Sequence, residues 1–149
     1  MIKLQAHPER MDAGPTPFEQ LGGREAVQAL ADAFYDAMEA HEPALTALHE
    51  RDEAGKVSRG ARDRFGMFLA FWLGGPSDYL HQHGHPRLRM RHAHLPVDSR
   101  MRDAWLGSMA RAMNARGIQG PVRTTLEDRF AAAAEMLRNV EEPPTSGNR

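Results

Sequence analysis

The sequence contains no cysteine. That excludes a disulfide framework, a thiolate metal site and a cysteine nucleophile. Any metal centre must therefore be built from His, carboxylate, Met or Tyr. An excess of charge is lacking as well: 19 Lys and Arg stand against 20 Asp and Glu, which gives no field of the kind that draws nucleic acid or an anionic membrane. There is no apolar run of membrane-spanning length and no signal-peptide pattern at the start of the chain. These absences fit a cytoplasmic protein that binds neither nucleic acid nor membrane. Strand-like alternation, internal repeats, a glycine-rich phosphate loop and a Gly-x-Ser-x-Gly elbow are also missing. What remains is 149 residues, 41% hydrophobic and 26% charged, enough for one domain around one core.

The segments in order are helical. Residues 1–14 mix charges with Pro8 and Gly14 and show no period, so they read as a flexible extension. Thr16-Pro17-Phe18-Glu19 has the form of a capping box with Pro at the first helical position, and Gly22-Gly23 ends that short helix. From Arg24 to Ala40, Val27, Leu30, Ala31, Phe34, Tyr35 and Met38 fall at i, i+3, i+4, i+7, i+8 and i+11, one continuous stripe. Tyr35 is its only polar-tipped member. A buried phenol needs a partner, which is either a backbone carbonyl or a bound ligand. Pro43 to Leu48 suits one helical turn, and His49 opens a polar loop to Gly60; taken alone, it reads as a surface histidine.

A second strong helix spans Ala61 to Leu73. Phe65, Phe68, Leu69 and Trp72 share a face, widened by Met67 and Phe71, until Gly74-Gly75-Pro76 stops it. Such aromatic density suits either an apolar core or a large flat cofactor. Ser77 to His81 suits a turn. His81, His83 and His85 alternate, which would place them on one side of an extended segment as a zinc or nickel site. Asp98 or Ser99 can cap a helix running to about Arg116 with the stripe Met101, Trp105, Met109, Ala112 and Met113. Trp105 is the one member of this stripe with a donor, which in a plain core would bond a backbone carbonyl. After the Gly120-Pro121 turn, Thr124 to Glu127 reads as a capping box. Leu126, Phe130, Ala133, Leu137 and Val140 then form the last stripe, and residues 141–149 are a disordered tail by composition.

The most informative stretch is Gly84-His85-Pro86-Arg87-Leu88-Arg89-Met90-Arg91-His92. Gly84 and Pro86 break the preceding helix, and Pro86 suits the first turn of a new one. In that helix Leu88 and His92 share a face, while Arg87 and Arg91 crowd a neighbouring one. Crowded cations call for a nearby anion. An imidazole facing a cavity, with cations beside it, fits a metal cofactor that carries its own anionic groups.

Taken together, these elements resemble a truncated haemoglobin of the second group. The resemblance rests on Phe34-Tyr35, Phe71 to Pro76, Tyr79, Gly84 to His92, and Asp103-Ala104-Trp105-Leu106. It covers residues 15–140 as one truncated globin domain and implies an all-α, two-over-two helical sandwich around haem b. It implies that His92 is the proximal iron ligand, with its other nitrogen donating to a carbonyl. Tyr35 and Trp105 would be distal donors. Phe65, Phe68 and Leu69 would line the distal side and haem edge, with Leu88 beside His92. Arg64, Tyr79 and Arg91 are the candidates for the propionates. The place of the ordinary distal histidine falls at Ala61, so ligand control would pass to Tyr35, Trp105 and His49, which aligns with a corner position. His94 and Leu95 stand where this group often has Pro-Phe.

The function implied is binding of dioxygen and other small diatomic ligands at a five-coordinate iron. Peroxidase-like or nitric oxide dioxygenase chemistry, with a reductase as partner, is an extension of that reading. The alternative is a haem-free helical protein that binds a divalent metal through His81, His83 and His85. Monomer and homodimer are both compatible with the stripes.

Overall fold

A computed structural model describes residues 14–92, 95 and 97–138, with the side chains of residues 89 and 91 left aside. The expected N-terminal extension, apart from Gly14, and the tail at 141–149 lie outside the described residues, as do Pro96 and His94. The helices are α1 (Pro17–Leu21), α2 (Arg24–His41), α3 (Pro43–Thr46), α4 (Arg59–Trp72), α5 (Asp78–His83), α6 (Leu88–His92), α7 (Ser99–Ala115) and α8 (Gly120–Leu137). Among the described residues the extended pairing is a single bridge, Arg51 with Val57.

The stripe of α2 explains its central place. Val27, Leu30, Ala31, Phe34, Tyr35 and Met38 are all buried, and α2 packs on both α4 and α7, while α7 packs on α8. The α2/α4 pair thus crosses the α7/α8 pair, the two-over-two arrangement. Each fully buried Leu, Phe or Met in the shared core contributes about 1.5–3 kcal/mol by leaving water.

The chain ends of these helices are set locally. At α1 the Thr16 hydroxyl accepts from Glu19 N, and Glu19 Oε1 accepts from Thr16 N at 2.9 Å, so the capping box is formed. Phe18 N donates to Leu73 O at 2.9 Å and fastens α1 to the end of α4. This close approach requires glycine at position 75. A Cβ there would stand 2.5 Å from Phe18 Cδ1 and 2.8 Å from the Ala70 carbonyl oxygen. Gly75→Ala is therefore expected to cost about 1–3 kcal/mol by overpacking, to be read as a lowered denaturation midpoint at unchanged slope.

Arg62 is buried at 8% exposure and ties three elements together. Its Nε donates to Val57 O (3.0 Å), Nη1 to Asp32 O (3.1 Å) and Asp36 Oδ1 (2.9 Å), and Nη2 to Glu39 Oε2 (2.8 Å). Glu39 Oε2 also accepts from Val57 N at 2.6 Å. The 50–58 loop is thereby pinned to α2 and α4. Arg62→Ala would take the nearest cation from a carboxylate whose side chain is only 14% exposed and leave it Lys56 Nζ at 3.5 Å; the expected loss is about 3 kcal/mol, measurable by chemical denaturation.

Several expectations change. The aromatic helix starts at Arg59, earlier than Ala61, because Ser58 caps it by accepting from Ala61 N. The last helix begins at Gly120 and not at Thr124: Pro121 sits in its first turn, where a missing N–H costs nothing, and Gln119 is the cap. The basic helix begins at Leu88 because Arg87 takes a left-handed conformation (φ 46°) that interrupts the backbone after Pro86. Arg87 therefore stands outside the helix that carries Arg91. Residues 78–83 form α5 in place of the expected turn and extended segment, so His81 and His83, two apart on a helix, point to different sides.

Candidate functional site

The helices leave a cavity of about 400 Å³ between α2, α4, α6, α7 and α8, a size in the range of small-molecule and cofactor pockets. Its wall along α4 is Ala61, Arg64, Phe65, Phe68, Leu69 and Trp72. The i, i+3, i+4 spacing of α4 turns these residues one way. Phe65 stacks on Phe68 (6.3 Å between centroids), Phe68 on Trp72 (6.0 Å), and Trp72 on Phe130 of α8 (5.4 Å). The result is a flat aromatic wall with little polar surface.

His92 closes the cavity from α6 together with Leu88. Its Nδ1 lies 2.8 Å from Leu88 O, one turn back. A carbonyl oxygen only accepts, so Nδ1 carries the hydrogen and Nε2 carries the lone pair. An imidazole held in this tautomer is the form that a metal takes at Nε2.

A second imidazole lines the same cavity. His49 follows α3 and is half-buried, with Nδ1 2.9 Å from Leu45 O, again one turn back. Burial, first of all, pushes its pKa below the ordinary imidazole value; the bond to Leu45 opposes this, and the His92 ring lowers it further. The expectation of a surface histidine does not hold, because the Leu45–His49 turn folds the ring inward against the edge of Tyr35 (5.5 Å).

Tyr35 comes from the stripe of α2 and is 6% exposed. It meets Phe34 and Phe65 edge-on at 5.0 and 5.6 Å, with the Arg62 guanidinium 5.8 Å from its ring centroid. Burial raises the phenol's pKa well above the usual value, with Arg64 and Arg62 pulling the other way. It is therefore a neutral donor at any ordinary pH. Trp105 of α7 packs on Phe34 (5.0 Å) and Phe130 (5.6 Å). Neither the Tyr35 hydroxyl nor the Trp105 indole N–H has a hydrogen-bond partner among the described residues, yet no buried polar side-chain atom there is left unsatisfied. Both donors therefore open on the cavity, and the carbonyl partner considered for each from sequence is absent among the described residues.

Arg64 and Tyr79 line the same cavity, Arg64 exposed at its mouth and Tyr79 buried against Phe68 at 5.5 Å. Arg64 makes no ion pair among the described residues. The Arg91 side chain lies outside them. Of the residues expected to form the site, His92, Leu88, Tyr35, Trp105, His49, Arg64, Phe65, Phe68, Leu69 and Tyr79 are thus brought to one cavity. Sequence reasoning missed Leu45, Val97 and the α8 wall of Phe130, Ala134 and Leu137; the four-three spacing of α8 marked a buried face without saying what it faced. His81 and His83 lie outside the cavity lining, and among the described residues no cluster of three or more His or carboxylate side chains could hold a metal ion.

A family model described as bacterial-like globin matches residues 16–139. The group 2 truncated hemoglobin YjbI of Bacillus subtilis is 36% identical over 126 residues, which is 85% of this chain and 90% of that protein. Among solved structures, the group II truncated hemoglobin from Bacillus anthracis superposes with a TM-score of 0.79 at 31% identity, covering 89% of this chain and 97% of that one. The truncated oxygen-avid haemoglobin from Bacillus subtilis does so with a TM-score of 0.75 at 34% identity, covering 84% and 100%.

Proposed function

The chain belongs to the bacterial-like globin family, and from that premise we propose that it binds haem b through His92 Nε2 and holds dioxygen and other small diatomic ligands at a five-coordinate iron. The observation that carries this reading is the convergence of one correctly tautomerised imidazole and two unpartnered donors, Tyr35 and Trp105, on a single aromatic cavity. The oxygen-avid character in the name of the B. subtilis relative supports it.

The residues fit the group. Phe65, Phe68 and Leu69 would pack on the macrocycle. Arg64 and Tyr79, at the edge, would meet the propionates, with Arg91 as a further candidate on α6. That assignment gives Arg64 an anionic partner, which it lacks among the described residues. Haem iron supplies the coordination site for the ligand and the redox couple. The chain's own residues then do three things. The Leu88 carbonyl fixes the His92 ring and makes Nε2 more basic. The aromatic wall excludes water, which strengthens every remaining polar interaction in the cavity. Tyr35 and Trp105 aim O–H and N–H donors at the place where a bound diatomic carries partial negative charge. Redox use on peroxide or nitric oxide would need an electron donor, for which a reductase is the natural partner. Monomer and homodimer are both compatible, and the reading places the protein in the cytoplasm.

The test uses an accident of composition: both tryptophans of the chain, Trp72 and Trp105, line the cavity. Titration of the haem-free protein with hemin is expected to quench nearly all tryptophan emission with a break at one equivalent. A gradual, non-saturating decline would refute the reading.

A further inference from the structure

His92 and His49 are built on one pattern. Each closes a Leu-x-x-x-His turn, each donates Nδ1–H to the carbonyl of that leucine, at 2.8 and 2.9 Å, and each lines the same cavity. The consequence for His49 is that its Nε2 is an acceptor. A distal imidazole that presents N–H is a third donor beside Tyr35 and Trp105; one that presents a lone pair is the opposite kind of group. We propose that His49 Nε2 is the proton acceptor of the site, and that it adapts the cavity to small neutral acids, H–X, that bind as their anions. The inference rests on the haem reading above.

The step balances without an external oxidant or reductant. The X–H bond would break heterolytically, the proton would bond to His49 Nε2, and the electron pair would stay on X, the anion that a ferric haem held by His92 would take. The resulting imidazolium keeps its Nδ1–H bond to Leu45 O, so no rearrangement of the turn is required. Tyr35 and Trp105 receive the anion as donors. Hydrogen cyanide, hydrogen sulfide and hydrogen peroxide share this chemistry; carbon monoxide and nitric oxide have no proton to give.

The other groups in the cavity do not compete for the role. Among the described residues lining it, the imidazoles are His49 and His92, and the haem reading gives His92 to the iron. Tyr35 is held neutral by burial. Glu50 at the rim accepts from Ser58 Oγ at 2.7 Å. Arg102 is held by Asp103 and Glu135 at 3.0 and 2.6 Å, and Arg64 is a cation. The ring of His49 is kept in its neutral form by the same burial that places it in the cavity.

Stopped-flow association of cyanide with the ferric holoprotein and of carbon monoxide with the ferrous holoprotein separates the roles. In His49→Leu and in His49→Gln, which keeps a polar side chain but no base, the cyanide-to-carbon-monoxide rate ratio is expected to fall about 100-fold. A solvent deuterium isotope effect on cyanide association should be present in the wild type and absent in both variants. Unchanged ratios would overturn the proposal and leave the haem reading standing. So would a ferric spectrum of low-spin, six-coordinate type that disappears in His49→Leu, since Nε2 would then be an axial ligand. Long-range ¹H–¹⁵N NMR of the haem-free chain tests the tautomer independently: a proton on His49 Nε2 contradicts it. Failure to take up hemin at all would remove both readings together.

Discussion

Replacing His92 by alanine is expected to weaken haem binding by roughly two decades or more, or about 2.7 kcal/mol. The cavity walls remain, so some hemin still enters by burial of its apolar face. What would be lost is the bond proposed for His92 Nε2: Leu88 O holds Nδ1–H at 2.8 Å and so leaves the lone pair on Nε2, where the proposal puts the metal. Two consequences separate this effect from general damage. Stability of the haem-free chain should hardly change, because His92 is half-buried at the end of a one-turn helix. Stability of the loaded protein should fall, because a cofactor bound only by the native state stabilises it by mass action. His92→Gly should regain its ligand-binding spectrum when imidazole is added, since the cavity left by the ring admits a free one. Equal haem retention in His92→Ala and wild type would mean that another residue ligates the iron.

The second large effect concerns release of dioxygen. Tyr35→Phe and Trp105→Phe each remove one donor that has no partner among the described residues, so the change is expected to fall on the ligand. Each is expected to raise the dissociation rate by one to two decades, corresponding to about 1–3 kcal/mol. The two donors converge on one small ligand, so their effects should not add independently. Tyr35→Phe keeps the ring that meets Phe34, Phe65 and His49, and the fold should therefore be little disturbed. Carbon monoxide, which carries less negative charge when bound, should respond far less than dioxygen. Equal acceleration of both ligands would indicate a steric gate and not hydrogen bonding.

Much of the fold and the site is legible in the sequence. The stripe of α2 named its buried residues one by one, because helical periodicity records burial directly. The Leu88–His92 pair announced a helical turn with an imidazole at its end, and the resemblance assigned it to iron. Other features depend on tertiary context and leave no local trace. Nothing in the run Arg59 to Arg64 distinguishes the buried Arg62 from its exposed neighbours; Asp36 and Glu39 on another helix make it buried. The alternation of His81, His83 and His85 suits an extended segment, but Asp78 to His83 form a helix, and a period of two then scatters side chains that an extended segment would gather. His49 looked like a loop residue because the turn that carries it inward is a single one. The Leu-x-x-x-His spacing it shares with His92 was present in the sequence, and its meaning emerged only once both carbonyl bonds were visible.

The proposed role of His92 is to hold a haem with an accessible sixth position. The direct measurement is the absorption spectrum of the purified, hemin-loaded protein, ferric, then reduced with dithionite, then exposed to carbon monoxide, for the wild type and His92→Ala. The expected result is a Soret band that shifts on reduction and again with carbon monoxide, and that His92→Ala fails to reproduce. A spectrum no different from free hemin, or one that carbon monoxide does not alter, would contradict it.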